Sequence, residues 1–380
     1  MTSPATRDIW GAPPWRIDFQ PPKQPIPQAV DFAVIGGGFT GLAAAAWLRL
    51  LAPEKSVAVF EAGRIGAGAS GRTGGMVLAE TAAGDFPDLG DVLAGLRDIL
   101  GKLGVECDLG LPGAWEIGRS GGMENSPIAW QDSGTLRVVN EVPGGTLDPG
   151  KLVSGLARAA DRLGTVIVED APALRVHAGE FSEIELAPAS GHGGKIRCGK
   201  ILFATNALSL ALSGMPAETH PRLTLAAMTA SLGEEQLEAA GLSHGKPFYT
   251  VDFPYLWGRV RRDNSIVWGA GLVTEPASGD LRDVDIGSEE PARMFASLEK
   301  RVRGLHPALA NAQFTHQWGG PILFREDWQP VFDWHPEQRN GIVLGAYAGH
   351  GVALSVYLGT WAAEIFLGRR DLPTWGAISA

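Results

Sequence analysis

The chain has 380 residues, enough for two or three domains at about 100–200 residues each, and its formal charge of −10 argues against a nucleic-acid surface, which needs clustered Lys and Arg. Its 51 glycines and 26 prolines are scattered through apolar segments, which excludes a low-complexity chain; its two cysteines, Cys107 and Cys198, form no C-x-x-C pair, disulfide framework or metal site. The N-terminal segment has no apolar signal core and no run approaches the ~18 apolar residues of a membrane span, so a soluble, cytoplasmic protein without a transmembrane segment is expected.

Residues 1–27, rich in proline and carrying Trp10 and Trp15, read either as an extended arm whose tryptophans pack on the body or as a disordered leader. Asp31–Ile35 (DFAVI) is a short buried strand, and Gly36-Gly37-Gly38-Phe39-Thr40-Gly41 then places glycines at the G-x-G-x-x-G positions. The alanine-rich run Leu42–Leu51 is a helix ended by Pro53. Gly36 permits the tight turn, Gly38 lets backbone approach a pyrophosphate, and Gly41 lets the helix lie close to the strand. The anion would meet the helix N-terminus, where free N–H groups and the helix dipole favour negative charge. Ser56–Phe60 is a second strand ending at Glu61, 20 residues past Gly41, where an acid binds the ribose hydroxyls of an adenosine. Gly66–Gly75 (GAGASGRTGG) is too rich in glycine and small polar residues for strand or helix, and its backbone N–H groups suit a pyrophosphate. Within it, Arg72 reads as a phosphate or carboxylate partner, or as a structural arginine.

Leu89–Leu103 has the spacing of an amphipathic helix, followed by irregular sequence to Gly145 with short strands at Ala114–Ile117 and Gly134–Val139. Pro149 suits a helix start, Leu152–Leu163 continues the helical spacing, and Thr165–Glu169 and Lys200–Ala204 are strands that return the chain to the nucleotide-binding domain. Tyr249–Arg261 and Ser265–Ala270, around Asp263-Asn264, read as an antiparallel hairpin. On it Tyr255, Trp257 and Arg259 alternate with Leu256 and Gly258, so one face presents two aromatics and a cation. That face reads as a pocket wall, where aromatics hold a cationic group and Arg259 an acid group, or as ordinary sheet packing with a rim arginine; Arg325 and Trp328 are candidates of the same kind. Gly341–Gly345 is a last strand, followed by Gly349-His350-Gly351 and the helix-like run Val352–Leu367. The fold class is α/β (α+β overall), a discontinuous Rossmann-type domain with an inserted, mainly antiparallel β substrate domain. Residues 28–85, 145–212 and 315–380 are assigned to the first, and 86–144 and 213–314 to the second.

The elements VIGGGFTGL (34–42), FEAGRIGAGASGRTGG (60–75), ATNA (204–207) and DWHPEQRNGIVLGAYAGHGVALS (333–355), in this order, resemble the D-amino-acid-oxidase-like superfamily of FAD-dependent amine oxidoreductases. The nearest look is to sarcosine oxidases and γ-glutamylputrescine oxidoreductases, strong in the cofactor segments and faint in the substrate domain. The resemblance implies that Gly36, Gly38, Phe39, Thr40, Gly41, Glu61, Ala62, Arg64, Ala173, Ala204 and Thr205 belong to the cofactor set. It implies that Ala69, Ser70, Arg72, Thr73, Gly74 and Gly75 lie beside the pyrophosphate and flavin. Gly349, His350, Gly351 and Val352 would then lie at the N1–C2=O2 edge of the isoalloxazine, where helix N-terminal donors stabilise the charge of the reduced ring. His350 has a proton role there, or serves only to space the backbone.

Three positions depart from sarcosine oxidases. Trp318-Gly319-Gly320-Pro321-Ile322 stands where those enzymes carry the cysteine that tethers the flavin, so FAD is expected to be non-covalent. Ala353 replaces a carboxylate-binding lysine and Val267 an oxygen-activating one, which weighs against a small amino-acid substrate and fast oxidase activity. The resemblance implies hydride transfer from the carbon beside a neutral amine nitrogen to flavin N5, giving an imine that hydrolyses to a carbonyl. His350, Arg259, Tyr255 and Trp257 are the residues expected around the substrate, with O2 or another acceptor taking the electrons and no metal required. Two alternatives stay open: a non-catalytic flavoprotein on the same fold, and an NAD(P)H-dependent flavoenzyme. Against the latter, there is neither a second G-x-G-x-x-G following a strand nor a C-x₄-C pair.

Overall fold

The computed structural model describes residues 8–187, 194–273 and 279–378; the first seven residues of the expected arm lie outside the described residues. The chain's most apolar short runs, rich in Val, Ile, Phe and Ala, form a parallel sheet because only there are both faces of a strand covered. Ala29–Ile35 (β1) lies between Val57–Phe60 (β2) and Gly194–Phe203 (β11), with Val166–Val168 (β8) beyond β2 and Gly341–Gly345 (β18) beyond β11, all parallel. Val331–Trp334 (β17) closes one edge antiparallel to β18, and the hairpin Ala173–His177 (β9) and Ser182–Leu186 (β10) extends from β11.

One face of this sheet carries four helices: Phe39–Leu51 (α1), Val92–Leu103 (α2), Pro149–Arg162 (α3) and Gly351–Phe366 (α7), which share one apolar core with Val34, Val57 and Ile342. Asp148 caps α3 by accepting from the Lys151 amide at 2.9 Å, and Pro149 takes the first helical position, where its missing N–H costs nothing. The close seat of α1 depends on Gly41: a Cβ there would stand 2.0 Å from the Gly36 carbonyl oxygen and 2.9 Å from Val34 Cγ1. Gly36 itself has φ +112°, a conformation an L side chain rarely adopts.

The second sheet runs Phe314–Arg325 (β16), Thr219–Thr229 (β12), Ile266–Val273 (β15), Trp257–Val260 (β14), Phe248–Thr250 (β13), Ala114–Gly118 (β4), Thr135–Val142 (β6) and Trp130–Gln131 (β5). It is antiparallel except for the β13–β4 pair. Trp130, Phe248 and Trp268 fill its centre, each ring within 5.7 Å of the other two. Met76–Leu78 (β3) and Gly144–Thr146 (β7) form a separate small antiparallel ribbon, and Leu210–Ser213 (α4), Glu234–Ala239 (α5) and Glu289–Leu305 (α6) are the remaining α-helices among the described residues.

The α/β class, the discontinuous first domain and the mainly antiparallel second one stand as expected. Four details differ. Helix α2 falls in the segment assigned to the substrate domain, yet Val92, Leu96, Ile99 and Leu103 pack in the core of α1 and α7. Strand β16 falls in the segment assigned to the cofactor domain but pairs along the whole of β12. The expected strand Tyr249–Arg261 is two strands, because Pro254 cannot donate to a ladder. The Gly66–Gly75 turn contains one 3₁₀ turn, Ala69–Gly71. Trp10 and Trp15 are both buried, so the arm packs on the body from residue 8 onward.

Candidate active site

Helix α1 starts behind Gly38 and α7 behind His350, and neither N-cap residue supplies a side-chain cap; apart from the Phe39 amide of α1, which Ser70 Oγ takes, the first-turn N–H groups are left for another partner. Both N-termini open on one cavity of about 1330 Å³ between the two sheets. Ligand pockets commonly measure ~300–1,000 Å³, so this larger space has room for a dinucleotide and a chamber for a second molecule.

Most of the sequence-predicted residues meet on its wall: Gly36, Gly38, Phe39 and Thr40 from the first turn, Glu61 and Ala62 after β2, Ala69, Ser70, Arg72, Thr73 and Gly74 from the second turn, then Ala173, Ala204 and Thr205. Gly349, His350, Gly351 and Val352 close it at α7, and Tyr255 and Trp257 at the second sheet. Gly41, Arg64, Gly75 and Arg259 do not line it. Gly41 is packed against β1, and Arg64 forms a surface ion pair with Glu169 at 2.6 Å.

The Glu61 carboxylate accepts from the Gly37 amide at 2.8 Å and the Gly63 amide at 2.9 Å, an arrangement that aims an acid into the cavity at the end of β2. Burial raises its pKa above the ordinary 4.5, outweighing those two hydrogen bonds. Ser70 Oγ accepts from the Phe39 amide at 2.9 Å, tying the second glycine turn to the start of α1. The hydroxyls of Thr205 and Ser355 both line the cavity, and each is buried with no partner among the described residues. Buried polar groups without partners are rare in folded proteins, and two in one cavity point to a polar ligand. The uncapped helix ends, the acid beyond β2 and these two hydroxyls fit a dinucleotide cofactor with phosphates and ribose hydroxyls.

His350 continues the wall at the start of α7, where its backbone N–H donates to the Tyr347 carbonyl at 2.9 Å. Its Nδ1 lies 3.4 Å from the Ala348 carbonyl oxygen, and burial holds its pKa below 6.5, so the imidazole is neutral at pH 7. Beside it, Tyr347 Oη and Thr40 Oγ1 share a 2.7 Å hydrogen bond that joins the two helix entries.

Two arginines serve the scaffold. Arg72 donates to the carbonyls of Ala67, Gly11, Trp10 and Gly319 and clamps both carboxylate oxygens of Asp8, leaving its guanidinium consumed by the arm. Arg259 is buried and donates through Nε to the Gly74 carbonyl; loss of solvent lowers its pKa from 12.5 to about 10. Sequence reasoning also passed over part of the wall: Met294, Ser297, Leu298 and Arg301 come from α6. Its signal was present in Ser288-Glu289-Glu290-Pro291, a capping serine, two first-turn acids and an early proline, before the apolar positions Phe295, Leu298, Val302 and Leu305.

The comparisons agree with this geometry. The model of the DAO family, described as FAD dependent oxidoreductase, matches residues 31–365. A probable oxidoreductase OrdL of Rhizobium meliloti is 26% identical, the match covering 92% of this chain and 85% of the relative. The γ-glutamylputrescine oxidoreductase of Escherichia coli is 23% identical over 90% of this chain and 84% of its own length. In fold, the chain is similar to glycine oxidase from Geobacillus kaustophilus, with TM-score 0.69, 18% identity, and 93% and 99% of the two chains covered. It is equally similar to L-proline dehydrogenase from P. horikoshii, with TM-score 0.71, 18% identity, and 93% and 97% covered. Among the described residues no helix is long and apolar enough to cross a membrane. With the match spanning both sheets and the cavity between them, the chain belongs to the DAO family of FAD-dependent oxidoreductases.

Proposed function

We propose that this protein oxidises the C–N bond of an amine or amino acid, with non-covalent FAD along Gly36–Thr40, Glu61 and Ser70–Gly74 and the substrate between Trp257 and the start of α7. The observation that carries the reading is the division of one cavity into a polar end and an apolar end. The polar end holds Glu61 and the start of α1, and the apolar end holds Tyr255, Trp257, Leu272 and Leu298. FAD held there would supply the redox chemistry, as acceptor of a hydride equivalent from the carbon beside a neutral amine nitrogen; the imine left behind would add water and release a carbonyl compound and an amine.

The protein's part is to orient, exclude water and hold charge. Trp257 fixes one wall, its ring wedged between Gly74 and Gly269. The N–H groups at the start of α7, on the cavity wall, would stabilise the negative charge that gathers on the cofactor on reduction, and they need no reorganisation to do so. His350, neutral at pH 7, adds no competing charge and keeps one ring nitrogen free to accept a proton. Cys107 and Cys198 are both buried away from the cavity, which supports a cofactor held without a thioether.

The test is anaerobic mixing of the FAD-loaded protein with secondary amines, polyamines and D- and L-amino acids. Bleaching of the oxidised flavin band by at least one class is expected, with the flavin released into the supernatant on acid precipitation. No bleaching by any of them would overturn the reading.

A further inference from the structure

Resting on that reading, we propose that the substrate is a monoamine with an apolar, aromatic substituent and no carboxylate. The chamber's charge inventory carries this. Among the described residues lining the cavity there are three arginines, no lysine, and one acid, Glu61, which sits at the polar end.

Each arginine already has its counter-charge. Arg72 is bound to Asp8 and to arm carbonyls. Arg282 lies at the rim, two-thirds exposed, with both oxygens of Asp280 on its Nε. Arg301 donates from Nε and Nη2 to Asp132, at 3.1 and 2.6 Å, from Nη2 also to the Pro254 carbonyl at 2.6 Å, and from Nη1 to the Tyr255 carbonyl at 2.7 Å. Asp132 also pairs with Arg119 at 2.9 Å, and Arg119 in turn with Asp252, so two cations and two anions close a neutral network. Arg259, the cation the strand pattern offered for an acid group, is turned to the Gly74 carbonyl and off the cavity wall.

A substrate carboxylate entering this chamber would lose its water and meet no unpaired cation, which is unfavourable in a low-dielectric space. The second ammonium of a polyamine would find no carboxylate there among the described residues. What the chamber does offer is Tyr255, Trp257, Leu272, Met294, Leu298 and Trp328. Tyr255, Leu272 and Trp328 are each more than 40% exposed, an apolar collar whose area an apolar substrate removes from water.

The experiment compares matched pairs that differ by one carboxylate, N-methylbenzylamine with N-methylphenylglycine and phenethylamine with phenylalanine, with spermidine as the polyamine. The readout is the anaerobic flavin reduction rate over Kd. The amine of each pair is expected to exceed its amino acid, and spermidine, by at least tenfold. Asp132→Asn, which leaves the network with a net positive charge, should narrow the pair ratio several-fold. An amino acid equal to or faster than its amine, or spermidine ahead of both, overturns this inference and leaves the amine-oxidising reading intact. Silence from every compound overturns both.

Discussion

The Trp257 ring occupies the space a side chain on Gly74 would need: a Cβ at Gly74 would stand 2.2 Å from Cζ3 and 2.4 Å from Cη2 of that ring. The second glycine turn and the second sheet therefore meet face to face, and the chamber's floor is set by the absence of one methyl group. Gly74→Ala must displace either a wedged indole or the turn, at a cost of about 1–3 kcal/mol for overpacking. Thermal unfolding should show that loss in the FAD-free protein, and FAD titration should show affinity at least tenfold weaker. A Gly74→Ala protein with unchanged Tm and FAD affinity would mean the two elements move independently.

Arg259 gives a second discriminating change. If its guanidinium supports the turn, Arg259→Met leaves the Gly74 carbonyl without its donor in a buried place and destabilises the fold by about 1–3 kcal/mol. Saturation constants for amines should stay within about threefold once FAD is bound. A variant of normal stability whose amino-acid substrates alone lose affinity would instead assign Arg259 to a substrate carboxylate.

These two residues also mark where the sequence became opaque. The cofactor half was legible because its signals are local: Gly36, Gly38 and Gly41 lie within six residues, Glu61 stands at a countable distance, and β1, α1 and β2 follow directly. The substrate half is built from pairings such as β12 with β16, where Ala226 lies opposite Trp318, and a period-2 pattern does not say which distant strand lies opposite. Alternation put Arg259 on the face of Trp257, but a face is not a depth, and the guanidinium ends under the turn. Asp132 meets Arg301 across 169 positions and Arg119 across 13, a charge network that no spacing rule reaches.

The pH behaviour of His350 follows from its burial. Its folded pKa lies below the ordinary 6.5, because burial disfavours the imidazolium. Between those two values the unfolded chain carries more protons than the folded one, so stability rises with pH across that window. The contribution is fully present above pH 6.5 and is lost as pH falls through the folded pKa. Thermal melts of FAD-free protein from pH 8 to 5 should show Tm falling on the acid side, with a shallower fall in His350→Asn. Equal slopes in the two proteins would remove His350 from the pH response.

The arm is the last element whose energetics can be separated by substitution. Trp15 donates from Nε1 to the Gly71 carbonyl at 2.7 Å and meets Trp318 edge to face at 5.4 Å, while Trp318 donates to the Arg72 carbonyl at 2.9 Å. The two indoles thus hold successive carbonyls of the turn that lines the cavity. Asp8 clamps Arg72 from outside, with its own side chain about half exposed. An exposed ion pair contributes about 0–1 kcal/mol, whereas removing a buried tryptophan costs about 3–5 kcal/mol. Trp15→Ala should therefore lower Tm steeply and speed FAD dissociation at least tenfold, while Asp8→Asn should leave dissociation within about twofold. FAD release followed by flavin fluorescence after dilution distinguishes the two. Equal acceleration by both variants would shift the strap's hold on the cofactor turn from the buried indoles to the surface clamp.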